Sequence, residues 1–218
     1  MEDIGFGFNF EITNYCQARC NTCHRSNPDG SGNPRTDFQL NHMDISLFEN
    51  FIGSLPQDKI THIRLFGERG DPMMHPEIEK FIDSVAYRNI TLGIATNGGL
   101  RQPSWYSHIA QKYNKKIKII FGIDGIDHET NWKYRTGVNW DRAWSNMMSF
   151  KNNGGNTIWQ YIIFPWNVHQ IDQVIDIANL HGLNLFFIIN EKIGDGLLFD
   201  IESKEQIKNK LVGLGYQI

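Results

Sequence analysis

Cysteine is nearly absent from this chain, with three residues in 218 and none after position 23. An odd count at short spacings gives no disulfide framework. No apolar run approaches the length that crosses a bilayer, and the N-terminus lacks a basic region followed by an apolar segment, so neither a membrane span nor a secretory leader is expected. Positive charge is not in excess either. The formal charge of −3 argues against a broad nucleic-acid-binding face and leaves a nucleotide-sized ligand open. Internal repeats and low-complexity tracts are missing. What remains, at 40% hydrophobic residues, is enough to bury one core, so a single domain over 1–218 is expected. Free thiols suit a reducing cytoplasm.

The few cysteines are concentrated. Cys16, Cys20 and Cys23 stand in C-x3-C-x2-C spacing directly after a strand-like run. Three thiolates on one tight loop hold a metal centre and leave one coordination position open. Spacing alone leaves two readings: an iron–sulfur centre, or a structural zinc site completed by His24 or His42.

Strand and helix signals alternate along the chain. Phe6, Phe8, Phe10 and Ile12 alternate with Gly7, Asn9, Glu11 and Thr13, a period-two strand. Further strands are expected at 62–66, 91–96, 117–123, 158–164 and 185–189. One helix is capped by Asp44 and carries the stripe Leu47, Phe48, Phe51, Ile52 and Leu55. Others open at Pro76 and Pro103, or are capped by Asn139 and by Asn167, the last closed by Gly182. A closing helix is expected at about 203–213, where Ser203 and Gln206 have capping-box spacing. Six such βα units imply an α/β fold with a parallel sheet. Periodicity alone permits an open doubly wound sheet as readily as a barrel. If the apolar phase of the strands faces the helices, the opposite phase carries Asn9, Glu11, His62, Arg64, Lys118, Asp124 and Gln160. So many polar groups on one face are costly unless paired or turned toward a polar ligand, so a substrate cup is expected there.

The stretch from Phe10 to Cys23, Phe-Glu-Ile-Thr-Asn-Tyr-Cys-Gln-Ala-Arg-Cys-Asn-Thr-Cys, resembles the cluster loop of radical S-adenosylmethionine enzymes. The resemblance implies a partial (β/α)6 TIM-like barrel with the cluster loop, residues 14–25, after the first strand. It implies that Cys16, Cys20 and Cys23 bind three irons of a [4Fe–4S] cluster, while S-adenosylmethionine chelates the fourth through its amino and carboxylate groups. One electron then cleaves the sulfonium, releasing methionine and a 5′-deoxyadenosyl radical that abstracts a hydrogen from substrate. Thr22 stands where the family often has an aromatic residue, a departure that removes no ligand.

Other segments extend the resemblance. Phe66-Gly67-Glu68-Arg69-Gly70-Asp71-Pro72 is similar to the family's G-G-E-P segment, which hydrogen-bonds the cofactor's amino group. On that alignment Gly70 and Asp71 bind S-adenosylmethionine, with Glu68 as the alternative carboxylate. Thr96-Asn97-Gly98 looks like the T-N-G turn near the cofactor. Asp124 falls where the family places polar residues near the ribose or substrate, although Gly122 replaces the usual serine. Arg135 resembles the arginine before the fourth helix, available to the cofactor carboxylate or to a surface ion pair. No adenine-contacting motif is recognisable. Residues 26–42, rich in Asn, Pro and Gly, are too long for a simple connector and read either as a lid that orders when substrate binds or as plain disorder. His24 and Arg25 follow the last cysteine, either as solvated loop residues or as hydrogen-bond donors to the cluster or cofactor.

Within this family, the lack of further cysteines implies a near-minimal core with one cluster and no auxiliary-cluster extension. An external electron donor, flavodoxin- or ferredoxin-like or a chemical reductant, must then feed it. Hydrogen abstraction from a peptide or protein side chain is the expected reaction, with a small purine- or pterin-like molecule as the alternative substrate. Trp132, Tyr134, Trp140 and Trp166 are available to stack on such a ring, or serve as packing. Two readings from other classes stay open: a zinc-stabilised binding module on Cys16, Cys20, Cys23 and His24, and a cluster-binding subunit that has lost catalysis.

Overall fold

Burial alternates along the strands, and the alternation decides which face of the sheet meets the helices. In the computed structural model, which describes all residues except 1–5, 28, 30, 38, 57, 89, 192–197 and 217–218, the strands are β1 (Phe6–Phe10), β2 (Ile60–Leu65), β3 (Thr91–Thr96), β4 (Ile117–Gly122), β5 (Asn156–Ile163) and β6 (Asn184–Ile189). They form one sheet in the order β1-β2-β3-β4-β5-β6, each neighbouring pair parallel. A doubly wound sheet reverses its order at a switch point; this sheet never does, so the arrangement is that of a partial (β/α)6 barrel.

The buried phase of the strands (Ile63, Leu65, Leu92, Ile94, Ile119, Phe121, Trp159, Tyr161, Ile163 and Phe187) belongs to one apolar cluster with residues of the surrounding helices. Those helices are α1 (Ile45–Ser54), α2 (Ile78–Ala86), α3 (Pro103–Tyr113), α4 (His128–Trp132), α5 (Trp140–Asn152), α6 (Ile171–His181) and α7 (Ile201–Gly213). Each large side chain so buried contributes about 1.5–3 kcal/mol relative to exposure. The opposite phase is wetter. His62 and Arg64 are exposed, and Lys118 and Gln160 are half-buried, as the alternation predicts for a concave polar face.

Several elements differ from expectation for local reasons. In α1 only Phe48 and Ile52 are buried, while Leu47 and Phe51 are exposed. This helix flanks the edge strand β1, so one side of its stripe has no neighbour beyond it; Phe51 meets Phe8 and Phe10 edge-on. Pro76 does not open α2, because His75 first closes a short 3-10 turn at Pro72–Met74. Asp200 caps α7 by accepting from Ser203 N, which starts the helix earlier than the capping-box spacing indicated. Asn167 offers no side-chain cap to the turn that follows it. Its Oδ1 accepts from Phe164 N, and its Nδ2 donates to the carbonyls of Asp124 and Ile162, tying the ends of β4 and β5 together. Helix α4, capped by Asp127, was not anticipated.

Segment 26–42 is held at both ends. Ser26 bridges to Pro34 and Thr13 to His42, and the His42 ring stacks on Tyr15 at 4.5 Å. Pro28, Gly30 and Phe38 of the expected lid lie outside the described residues, as do residues 1–5 of the expected domain. Among the described residues no helix is long and apolar enough to cross a membrane.

Candidate active site

After β1 the chain runs over the C-terminal ends of the strands and coils tightly. Cys23 N donates to Cys20 O at 3.1 Å and Ser26 N to Cys23 O at 2.9 Å, two successive turns that gather the cysteines. Arg19 N donates to Thr136 O, fixing this loop to the segment after α4. All three cysteines are free of disulfides. They line one cavity of about 490 Å³ together with Arg25, Glu68, Gly70, Asp71, Thr96, Asn97, Tyr134 and Arg135. Burial, with Asp71 adding to it, pushes the Cys16 thiol up to about 12. A bare thiolate is therefore disfavoured there, and a cationic centre is what would hold it deprotonated.

The donor set distinguishes the two metal readings. Among the described residues, no three His, Cys, Asp or Glu side chains gather around a single ion position. Structural zinc needs all its ligands about 2.0–2.3 Å from one ion, whereas thiolates that each bind a different iron of a cluster need only share a rim. His24, the fourth ligand of the zinc reading, is exposed and faces Glu68, with Nδ1 3.6 Å from Oε2. The three thiols fit a cluster.

Asp71 is the hub of one wall. Its backbone N donates to Tyr15 O at 2.8 Å, which presses the preceding residue against the cluster loop. A side chain at Gly70 would place its Cβ 2.0 Å from Thr13 O, so only glycine allows this approach. The Asp71 carboxylate accepts from Met73 N at 2.9 Å, from Thr96 Oγ1 at 2.9 Å and from Asn97 N at 2.8 Å. Burial pushes this carboxyl up, and those donors oppose it. Asn97 continues the network: its side-chain amide pairs with that of Gln17, and its Nδ2 also lies 3.7 Å from Cys16 Sγ. Thr96, Asn97, Gly70 and Asp71 thus form one connected wall beside Cys16. Glu68 stands apart from it, its side chain 62% exposed at the cavity mouth.

The opposite wall is built on a buried ion pair. Arg135 Nε donates to Asp124 Oδ2 at 2.6 Å, and Ile162 N donates to Oδ1 at 2.7 Å. Burial works against the Arg135 charge, but Asp124 and then Cys20 outweigh it and drive its basicity up. Asp124 is fully buried and is not among the lining residues; Arg135 is. A Cβ at Gly122 would fall 2.6 Å from Arg135 Nη2, so the serine missing from this position is replaced by room for the guanidinium.

Further cavity surface comes from β4–β6 and the residues directly after β6. Gln160 lines it, as the strand alternation foresaw, but Ile120, Ile162, Ile188, Asn190 and Glu191 were not singled out. For Ile120, Ile162 and Ile188 the signal was the same inward phase, hidden because they are apolar. Of the four aromatics offered for stacking, Tyr134 lines the cavity. Trp140 stacks on Trp144 and donates Nε1 to Gly125 O, Trp166 stacks on Phe164, and Trp132 contacts His128.

Comparison with known proteins bears on this arrangement. The model of the Radical SAM superfamily matches residues 10–178. Streptococcus suis SuiB, solved with S-adenosylmethionine, superposes with a TM-score of 0.76 at 15% identity, over 97% of this chain and 48% of that one. The structure of anSMEcpe with bound AdoMet gives a TM-score of 0.73 at 14% identity, over 95% of this chain and 57% of that one. The tungsten-containing aldehyde ferredoxin oxidoreductase cofactor-modifying protein of Pyrococcus furiosus is 31% identical over 102 residues, 46% of this chain and 26% of that relative. This chain therefore spans about half the length of the two solved structures and about a quarter of the curated relative.

Proposed function

We propose, because this chain belongs to the radical SAM superfamily of enzymes, that Cys16, Cys20 and Cys23 hold the family's [4Fe–4S] cluster and that the cavity beside them receives S-adenosylmethionine. The observation that carries this is one cavity lined by all three thiols, the Gly70–Asp71 wall and Arg135. When bound, cluster and cofactor supply a 5′-deoxyadenosyl radical for hydrogen abstraction from substrate.

The chain's own groups divide the work. Asp71, saturated by Met73, Thr96 and Asn97, fixes the loop that faces the cofactor. Glu68 has the room to turn toward an ammonium group. Arg135 meets a carboxylate with its outer nitrogens while Asp124 holds it by Nε, a charge-assisted contact strengthened by burial. Gln160, Ile162, Ile188 and Asn190 shape the space in which a substrate C–H bond is aimed and water is excluded. An external electron donor completes the reaction.

For substrate, a peptide or protein side chain is the reading we favour, since the exposed carboxylates Glu68 and Glu191 line the cavity. A structure of anSMEcpe holds AdoMet and a peptide, though that likeness is one of fold. A second reading, a small cofactor-like molecule, is favoured by the Pyrococcus furiosus relative, which is named as cofactor-modifying. Anaerobic reconstitution with iron and sulfide should give brown protein holding close to four irons per chain, as a [4Fe–4S] cluster requires. Dithionite and S-adenosylmethionine should then release 5′-deoxyadenosine, and Cys20→Ala should abolish it. Colourless protein binding one zinc would refute the reading. Added peptides that raise the rate of 5′-deoxyadenosine release would separate the two substrate classes.

A further inference from the structure

Arg25 is 8% exposed, a buried cation among the described residues. Its side-chain contact among the described residues is a 3.5 Å hydrogen bond from Nη1 to Ala18 O, the outer limit of such a bond, and its Nε is buried with no partner. No described carboxylate forms an ion pair with it. It lines the cavity with Cys16, Cys20 and Cys23, and its backbone N lies 3.5 Å from Cys23 Sγ. The turn is locked from both sides: Arg35 N donates to Arg25 O at 2.8 Å and Ser26 Oγ to Cys20 O at 2.7 Å. These bonds fix the backbone from which the Arg25 side chain enters the cavity.

An unpaired buried guanidinium is costly, so its position calls for an anion. Arg135, a half-buried arginine at the same cavity, has its anion in Asp124. Arg25 shares its cavity with the three cysteine thiols, and its charge acts on Cys16. We propose that Arg25 is a positioning residue that acts as the counter-cation of the cluster, favouring its reduced form; this rests on the radical SAM reading. Three thiolates bring an oxidised [4Fe–4S] core to a net single negative charge, and the electron that reduces it makes that charge double. A fixed cation nearby stabilises the reduced state more, and net charge around a cluster is one of the protein's levers on its potential. The same guanidinium could instead serve the carboxylate of S-adenosylmethionine, and the test separates the two.

Wild type, Arg25→Gln and Arg25→Lys are reconstituted anaerobically and titrated with dithionite against redox dyes, first without S-adenosylmethionine. The iron content of the wild type tests the cluster itself; the variants test Arg25. Arg25→Gln is expected to lower the reduced-to-oxidised ratio at a fixed potential at least tenfold, about 59 mV for a one-electron couple. Arg25→Lys should stay within about threefold of wild type, because the charge is kept. A wild-type potential in Arg25→Gln, equal shifts in both variants, or a shift seen only with S-adenosylmethionine present would each overturn the proposal. If Arg25→Gln takes up no iron, Arg25→Lys decides: loading with near-wild-type potential supports the role, and failure to load or a shifted potential overturns it.

Discussion

Two buried aspartates support the same cavity and are held in different ways: Asp71 lines it, and Asp124 holds the Arg135 that does. Asp71 is surrounded by neutral donors: the Thr96 hydroxyl and the backbone N–H groups of Met73 and Asn97. Asp124 shares its charge with Arg135 and receives one backbone N–H, from Ile162. The first arrangement distributes a charge over several neutral contacts on the β2–β3 side. The second concentrates it in one ion pair, with a backbone N–H of β5 as its other contact. A neutral network can lose a member and keep the rest, whereas an ion pair that loses a member leaves a bare charge behind. The wall carrying Arg135 is therefore the more fragile, although it has fewer bonds.

The largest effect that separates the walls should come from Asp124→Ala. It strands Arg135 and leaves Ile162 N without its acceptor, so denaturant unfolding should show a loss of about 3–5 kcal/mol. The double variant Asp124→Leu with Arg135→Met should recover part of that stability, because no charge is then buried. If Arg135 receives the cofactor carboxylate, the same double variant should still bind S-adenosylmethionine far more weakly, by equilibrium dialysis of the reconstituted protein. A double variant no more stable than Asp124→Ala would show that the two walls do not differ in kind.

Asp71→Asn should cost less, about 1–3 kcal/mol, since it turns an NH2 group toward a donor without exposing a buried charge. Thr96→Val, which removes one donor to Asp71 and the acceptor of Gly98 N, should cost about 0.5–1.5 kcal/mol by the same measurement. If Asp71→Asn proves as damaging as Asp124→Ala, the distribution of charge over neutral donors protects nothing.

How far these walls were legible in the sequence follows from which of their parts are contiguous motifs. The cysteine spacing, the Gly70-Asp71-Pro72 turn and the Thr96-Asn97 strand end are contiguous motifs, so residues and neighbours were visible together. The strand phase was legible for the same reason, and it placed Gln160 in the cavity. The Asp124–Arg135 pair was not: both residues were singled out, but nothing in their spacing says that one is hidden and holds the other. Arg25 read as a loop residue because nothing in the residues beside it signals that it is buried. Asn167 looked like a cap because Asn at a helix start usually is one; its bonds to Asp124 and Ile162 need β4 and β5 side by side. Leu47 completed a helical stripe, and only the position of α1 at the sheet edge leaves it exposed.

The smallest expected difference concerns acid. His75, on the segment that follows Asp71, is buried with both ring nitrogens used: Nδ1 accepts from Glu77 N at 3.1 Å and Nε2 donates to Met43 O at 3.0 Å. Burial lowers its proton affinity below the ordinary value of 6.5, and a second proton would destroy the Nδ1 acceptor. The sign follows from linkage. Below 6.5 the unfolded chain takes up a proton that the folded chain resists, so this contribution to stability is complete above that pH and is lost as pH falls beneath it. Unfolding in urea at pH 7.5 and at pH 5.5 should show lower stability at the acid end. His75→Gln should be less stable at both pH values but lose less between them. An unchanged loss in His75→Gln would move the acid sensitivity off the Asp71 wall and onto another histidine, leaving the two walls alike in mild acid.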